Sequence, residues 1–308
     1  MTVQFWRRSA ALATAAAVGI VSIADSALAE RVEREFRNAD GRERTYIAHL
    51  PDDPGRKDSW PVIMAFHGGF GTGENMEETT RMHAVDGAEE FVIVYPDGIV
   101  RSWNVTDDCC GRANRRGVDD LGLAADILED LSRDLPVRDR IFATGYSNGA
   151  MLVYSMICER PGRIAAAVPF GAAMQQEPGA CPAREPVPVM HLHGLEDPLS
   201  LFEGGLGDYE RVGPQPPVSR GVEHLASTFS CAESGEVSRL GSVTCRRWSG
   251  CDEGAEVLLC PIPGLGHYWP GQQTTLFGET FLPMGPNRPE LPGSQTVVNF
   301  FLEHLQDR

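Results

Sequence analysis

The order of apolar segments predicts an α/β fold with a mainly parallel central sheet and helices on both faces. Two observations carry this expectation. After Pro61, short buried-strand runs alternate with segments of helical period, the pattern that wraps helices around parallel strands. The chain beyond its first 29 residues is also long enough for one large domain with a substantial core, and it holds no Pro/Ser/Thr-rich linker and no internal repeat. Strand-like residues 32–37 and 42–50 flank the turn signal Asn38-Ala39-Asp40-Gly41, so a hairpin is expected first. Residues 61–66 form a buried strand, 74–90 are mostly helical, and 91–95 form the next strand. A helix over 121–135 carries Leu121, Ala124, Leu128, Leu131 and Leu135 on one stripe. Residues 141–144 suit a short strand, and Ala150, Val153, Tyr154 and Ile157 then fall at helical spacing. Strands follow at 164–170 and 187–192, and a hairpin at 243–248 with 256–261. A closing helix has Ser294 as its N-cap and Val298, Phe301, Leu302 and Leu305 on one face.

The amino-terminal 29 residues read as an export leader. Arg7 and Arg8 precede an apolar stretch from Ala10 to Ala24, and Ala27-Leu28-Ala29 supplies the small-x-small cleavage pattern. The stretch is short for a bilayer span, and no second one follows. Residues 30–308 are therefore expected to be a single exported domain, monomeric and soluble, outside the cytoplasm. They carry 25 basic against 42 acidic side chains, a formal net charge of about −17. Such a surface argues against nucleic acid or anionic membrane as a partner.

All eight cysteines (109, 110, 158, 181, 231, 245, 251 and 260) fall after the leader, and an even number in an exported chain favours disulfides. Connectivity is not fixed by sequence. The hairpin suggests Cys245 to Cys260, with Cys231 to Cys251 beside it, while Cys109 and Cys110 are expected to make separate bridges to Cys158 and Cys181. A zinc or redox reading fits less well, because no C-x-x-C occurs.

The chemistry points to Gly145-Tyr146-Ser147-Asn148-Gly149. A serine hydroxyl is a poor nucleophile unless its geometry is forced, and a sharp strand-to-helix turn forces it by lifting Oγ above the sheet. The alternative is an ordinary Gly/Ser turn. An acyl transfer also requires a base, a carboxylate behind it and donors for the oxyanion. Downstream, His193-Gly194-Leu195-Glu196-Asp197-Pro198 places Asp197 in a turn past a strand end, with Glu196 as competitor and a plain Asp-Pro turn as the bland reading. Of the histidines after Ser147, His267 alone lies in a Gly-rich loop, and His224 and His304 read as exposed or edge residues of helices. His191-x-His193 sets two imidazoles on one side of a strand, as a metal pair would, but no further ligand cluster accompanies it. The oxyanion donors are expected to be the N–H of Asn148 and that of Gly69 or Phe70, in the loop Phe66-His67-Gly68-Gly69-Phe70-Gly71. His67 reads as support for that loop.

With these pieces in order, the chain resembles the secreted α/β-hydrolase family that includes feruloyl esterases and polyhydroxybutyrate depolymerases. The marks are His67-Gly68-Gly69, Ser102-Trp103-Asn104 followed by Cys109-Cys110-Gly111, Val118-Asp119-Asp120, the pentapeptide at Ser147, His193 to Pro198, and Gly266 to Gly271. The resemblance implies an α/β-hydrolase fold, a triad of Ser147, Asp197 and His267, and no metal or organic cofactor. Trp103, Tyr146 and Trp269 are expected substrate contacts, with simple packing as the alternative. For Asp119 and Asp120, capping of the following helix explains their place at least as well as substrate contact. Residues 199–217 form either a rim or an inert loop. The expected activity is hydrolysis of carboxylic esters, feruloyl or related plant-polysaccharide esters first and polyhydroxyalkanoates second. A non-catalytic binding protein on the same fold is the reading from another class.

Overall fold

The computed structural model describes residues 30–105, 111–208, 213–241, 243–273 and 281–305. Residues 1–29, expected to be a leader, and the Cys109-Cys110 pair lie outside the described residues. The strands are β1 (Glu30–Arg37), β2 (Glu43–Leu50), β3 (Trp60–Phe66), β4 (Val92–Pro96), β5 (Val137–Tyr146), β6 (Ile164–Phe170) and β7 (Val189–Gly194). Two short strands, β8 (Gly205–Leu206) and β9 (Pro214–Gln215), pair with each other. Then come β10 (Ala232–Arg239), β11 (Val243–Ser249) and β12 (Val257–Ile262). The helices are α1 (Gly73–Thr80), α2 (Gly111–Arg115), α3 (Leu123–Leu131), α4 (Asn148–Glu159), α5 (Val218–Thr228) and α6 (Gly293–Glu303).

Ten strands make one sheet in the order β1-β2-β4-β3-β5-β6-β7-β12-β11-β10. The central run from β4 through β12 is parallel, and antiparallel strands close both edges. Strand periodicity of two divides the interior into two layers. Val62, Met64 and Phe66 of β3 belong to the layer that holds the apolar residues of α3, α4 and α5; Ile63 and Ala65 belong to the opposite layer, with Met76 of α1 and Val297, Phe300 and Phe301 of α6. The carboxyl ends of β3, β5, β7 and β12 therefore share one edge, where sites form in such sheets.

Several elements depart from the sequence expectation. The helix expected over 74–90 is α1 followed by two short 3-10 turns, because Arg81 and Gly87 adopt left-handed backbone conformations at φ 44° and 84°. At Gly87 a side chain would also strike Leu302, with a Cβ 2.6 Å from its Cδ1. Strand β5 runs back to Val137 through charged residues, since Trp60 of β3 pairs with Val137. Edge strand β10 has no counterpart in the sequence reading, whereas α5 is the helix on which His224 was placed. Ser294 does not cap α6: its hydroxyl accepts from Trp269 Nε1 (3.0 Å) and donates to the Thr80 carbonyl (2.5 Å).

The three described disulfides join Cys158 to Cys181, Cys231 to Cys251 and Cys245 to Cys260. The last two match the expectation, and the register of β11 on β12 sets Cys245 opposite Cys260. The expected bridges from Cys109 and Cys110 to Cys158 and Cys181 are not formed. Instead α4 and the loop after β6 bring Cys158 and Cys181 within 4.6 Å at Cα, so each takes the other. The Cys245–Cys260 bridge spans a separation of 15 residues, and closing such a loop in the unfolded chain stabilises by about 3 kcal/mol. Replacing both with Ala is expected to lower the denaturant-unfolding free energy by about that amount. An unchanged midpoint would show that the β11–β12 pairing needs no covalent support.

Candidate active site

Ser147 occupies the one-residue joint between β5 and α4, with φ 56° and ψ −117°. A non-glycine residue there carries about 1–3 kcal/mol of backbone strain, and the surrounding packing enforces it. A Cβ on Gly145 would lie 2.4 Å from the Gly149 carbonyl, and one on Gly149 would lie 2.2 Å from the Phe66 carbonyl oxygen. Both glycines are thus required by backbone lying on backbone. The Ser147 N–H donates to the Phe170 carbonyl of β6 (2.9 Å), fixing the turn to the sheet. The hydroxyl is left part-exposed above the strand ends.

His267 Nε2 lies 2.9 Å from Ser147 Oγ, and its Nδ1 lies 2.6 Å from Asp197 Oδ2. The second carboxylate oxygen of Asp197 accepts the N–H groups of Leu199 (2.9 Å) and Ser200 (2.8 Å). Asp197 is almost wholly buried, which alone would raise its pKa. The facing His267 charge and hydrogen bond, His193 and the Ser200 amide outweigh that burial and hold the carboxyl below its usual range. The competitor Glu196 points elsewhere and accepts the Gly264 N–H at 2.6 Å. The His267 loop is pinned by main-chain bonds from Gly266 to Pro286 (2.7 Å) and from His267 to Met284 (2.7 Å). Tyr146 O–H donates to the His267 carbonyl.

The first-turn amides of α4 have no acceptor within the helix, so the Asn148 N–H is available beside Ser147. The His67-Gly68-Gly69 loop packs against the same turn: a Cβ on Gly68 would sit 3.3 Å from Ser147 Cβ, and one on Gly69 3.9 Å from Asn148 Cβ. Phe70 does not fit the donor role expected for it, because its N–H is engaged by the Arg101 carbonyl at 2.8 Å. Of the two expected donors in that loop, Gly69 remains the candidate. His67 supports the loop as expected. Its Nδ1–H donates to the Gly68 carbonyl (2.7 Å) and its Nε2 accepts the Gly98 N–H (2.9 Å), an arrangement that requires a neutral ring.

Residues 44–203 match the dienelactone hydrolase family. The chain belongs to that family. The matched segment holds Ser147 and Asp197, whereas His267 lies beyond it. Among relatives, NocK of Nocardia uniformis subsp. tsuyamanensis, a proposed esterase, is 25% identical over 85% of this chain and 80% of its own. Feruloyl esterase B of Piromyces equi is 26% identical over 67% of this chain, but the match spans only 39% of that protein. The acetyl xylan esterase structure from Aspergillus awamori superposes with a TM-score of 0.57 at 14% identity, covering 81% of this chain and 97% of that one, and so shares the fold.

In this member of the dienelactone hydrolase family, the aromatic residues expected to touch substrate are placed otherwise. Trp103 and Trp269 are fully buried. Trp103 Nε1 donates to the His67 carbonyl (2.8 Å) and its N–H to Asn148 Oδ1 (2.7 Å), so it packs beneath the donor loop. Trp269 is tied to Ser294, and Tyr146 packs on the His267 ring. Large planar side chains near a motif attract a substrate reading, but burial alone decides it. The described large apolar residues that are exposed are Phe70, Leu195, Leu206 and Phe281. Asp119 accepts the Gly122 N–H (2.9 Å) in a capping manner, whereas Asp120 forms a fully buried ion pair with Arg44 (2.8 Å) and accepts the Asn104 N–H (2.7 Å). His224 and His304 take no part in the site: His224 bonds the Cys181 carbonyl (2.9 Å), and His304, buried rather than exposed, faces Glu256.

Two histidine groups bear on metal binding. The ring nitrogens of His191 and His193 are turned to each other, to Tyr154 and to the Ser200 carbonyl, so no pair converges on an ion. His49, Glu77 and His83 lie close together, but the two rings stack at 3.9 Å and 6°, and lone pairs lying in parallel planes do not meet at one ion. Arg31 also occupies both oxygens of Glu77.

Burial pushes His67 down to about 4 from an ordinary 6.5, the Gly68 hydrogen bond opposing it only in part. His83 moves to about 4 for the same reason, with His49 adding to it. The unfolded chain binds these protons below pH 6.5 and the native chain only near pH 4, so stability falls as pH drops through that window. His67 accounts for about 3 kcal/mol of this at most. Urea midpoints measured from pH 7 to 4 should decline in the parent protein and decline less in His67→Gln; identical slopes would refute the assignment.

Proposed function

We propose that the chain is a secreted serine esterase whose single catalytic domain is residues 30–308. The observation that carries this reading is the hydrogen-bonded line from Ser147 Oγ through His267 to Asp197, with both separations below 3.0 Å. In the proposed cycle, Ser147 attacks an ester carbonyl while His267 Nε2 takes its proton. Asp197 holds the ring with Nδ1–H toward the carboxylate and stabilises the imidazolium. The N–H groups of Asn148 and Gly69 receive the oxyanion. His267 returns the proton to the leaving alcohol, and water then clears the acyl-enzyme by the same route. Export is supported by the leader pattern and by three disulfides, which persist in an oxidising compartment outside the cytoplasm. None of the described helices is long and apolar enough to cross a membrane.

Feruloyl or related plant-polysaccharide esters are the proposed substrates. Names of relatives support this: a feruloyl esterase of Piromyces equi, and a bifunctional acetylxylan esterase/xylanase of Neocallimastix patriciarum that is 24% identical over 67% of this chain and only 28% of that protein. A polyester such as polyhydroxybutyrate is the second reading. It is favoured by the exposed Phe70 and Leu195, which sit on the donor loop and the Asp197 turn and offer an apolar rim. Ser147→Ala is expected to lower turnover of an activated acetate or ferulate ester by about 10⁴-fold or more, and a serine-directed phosphonate to label Ser147 in the parent. Parent-level activity in the variant, or absence of the adduct, overturns the mechanism and favours a binding protein on this fold. Parallel rates on methyl ferulate, acetylated xylan and a hydroxybutyrate oligomer distinguish the substrates.

A further inference from the structure

Behind Asp197 lies a line of fully buried polar groups that the proposed cycle does not use. Tyr154 of α4 places its hydroxyl 2.7 Å from His191 Nδ1. His191 Nε2 lies 3.1 Å from His193 Nδ1, and His193 Nε2 lies 2.7 Å from the Ser200 carbonyl oxygen. The same His193 nitrogen is 3.7 Å from Asp197 Oδ2, the oxygen that faces His267. All three side chains are wholly inaccessible to solvent.

The proton positions follow from the acceptor at the end of the line. A carbonyl oxygen only accepts, so His193 must carry its hydrogen on Nε2. Burial disfavours a charged ring at both histidines, leaving each with one hydrogen. His193 Nδ1 is then bare and takes the hydrogen of His191 Nε2, and His191 Nδ1 in turn takes that of Tyr154. Reversing the line would set a ring lone pair against the Ser200 oxygen at 2.7 Å. Every N–H and O–H dipole thus points its positive end toward Asp197. Ser200 is held at both ends of this contact, since its N–H donates to Asp197 Oδ1 while its carbonyl accepts from His193.

Resting on the triad reading above, we infer that His193, with its tautomer set by His191 and Tyr154, is a positioning residue: it fixes the Ser200 peptide and directs a neutral donor dipole at Asp197, so that the carboxylate stays aligned on His267. It does not touch substrate and transfers no proton. A misplacement of about 1 Å at such a carboxylate costs on the order of 10²-fold in rate.

The first test uses the unmodified, ¹⁵N-labelled protein. Long-range ¹H–¹⁵N correlation should show both His191 and His193 as Nε2–H tautomers, and His193 protonated on Nδ1 overturns the proposal. The second test compares two variants. His193→Phe keeps the volume without a donor, and should lower kcat by about 10²-fold with KM little changed and displace the low-field Nδ1 proton resonance of His267. His193→Gln restores an N–H toward Ser200 and should recover most of kcat and return that resonance. A folded His193→Phe protein with parent kcat, or a Gln variant as impaired as Phe, overturns the proposal. If the Phe variant fails to fold, the tautomer and the Gln variant decide. Failure of the triad reading is seen separately, as absence of phosphonate labelling at Ser147 in the parent.

Discussion

The site rests on the contact of backbone with backbone where β5 turns into α4. Gly149 lies against the Phe66 and His67 carbonyls, and Gly145 lies against Gly149, at separations that exclude any side chain. This contact joins three things that sequence keeps apart. It ends the strand, starts the helix, and seats the loop after β3 beside the first amides of α4. The strained φ of Ser147 follows from it, since one residue must reverse the chain between two fixed elements.

A buried carboxylate imposes the second set of demands. Asp197 is removed from water, so its charge has to be met by donors within the fold. The structure supplies two main-chain N–H groups, the His267 ring and the His193 dipole. Each comes from the end of β7, from the turn that follows it, or from the loop after β12. Those two strands are adjacent and parallel in the sheet, which is why residues 70 positions apart are held at 2.6 Å. The glycines again permit it: a Cβ on Gly194 would fall 2.2 Å from the Leu265 carbonyl oxygen, and one on Gly266 2.2 Å from that of Met284.

The loop after β3 is braced from beneath by a buried aromatic residue. Trp103 links Asn148, His67 and, through its neighbour Asn104, the Arg44–Asp120 pair. His67 is neutral because both its nitrogens are committed, one donating and one accepting. These groups hold Gly68 and Gly69 against the serine turn while Phe70 faces solvent. Phe70 and Leu195, both loop residues, are thus exposed, whereas Trp103 and Trp269 are buried.

The sequence by itself determined the alternation of parallel strands and helices, the strand-serine-helix joint, the order of serine, acid and histidine, and the hairpin that carries Cys245 and Cys260. Each is a local pattern of apolar period, turn residue or spacing, and chain order preserves such patterns. Only the tertiary structure decided that Asp197 rather than Glu196 faces His267, that Cys158 pairs with Cys181, that Trp103 and Trp269 are buried, and that Phe70 spends its N–H on Arg101. It also decided that His191 and His193 turn inward to Tyr154 and Ser200, which period-two spacing placed on one side of β7 without saying what lay opposite. These outcomes depend on which distant segments meet at the sheet edge and on which polar group finds a partner when water is excluded. A one-dimensional pattern carries neither.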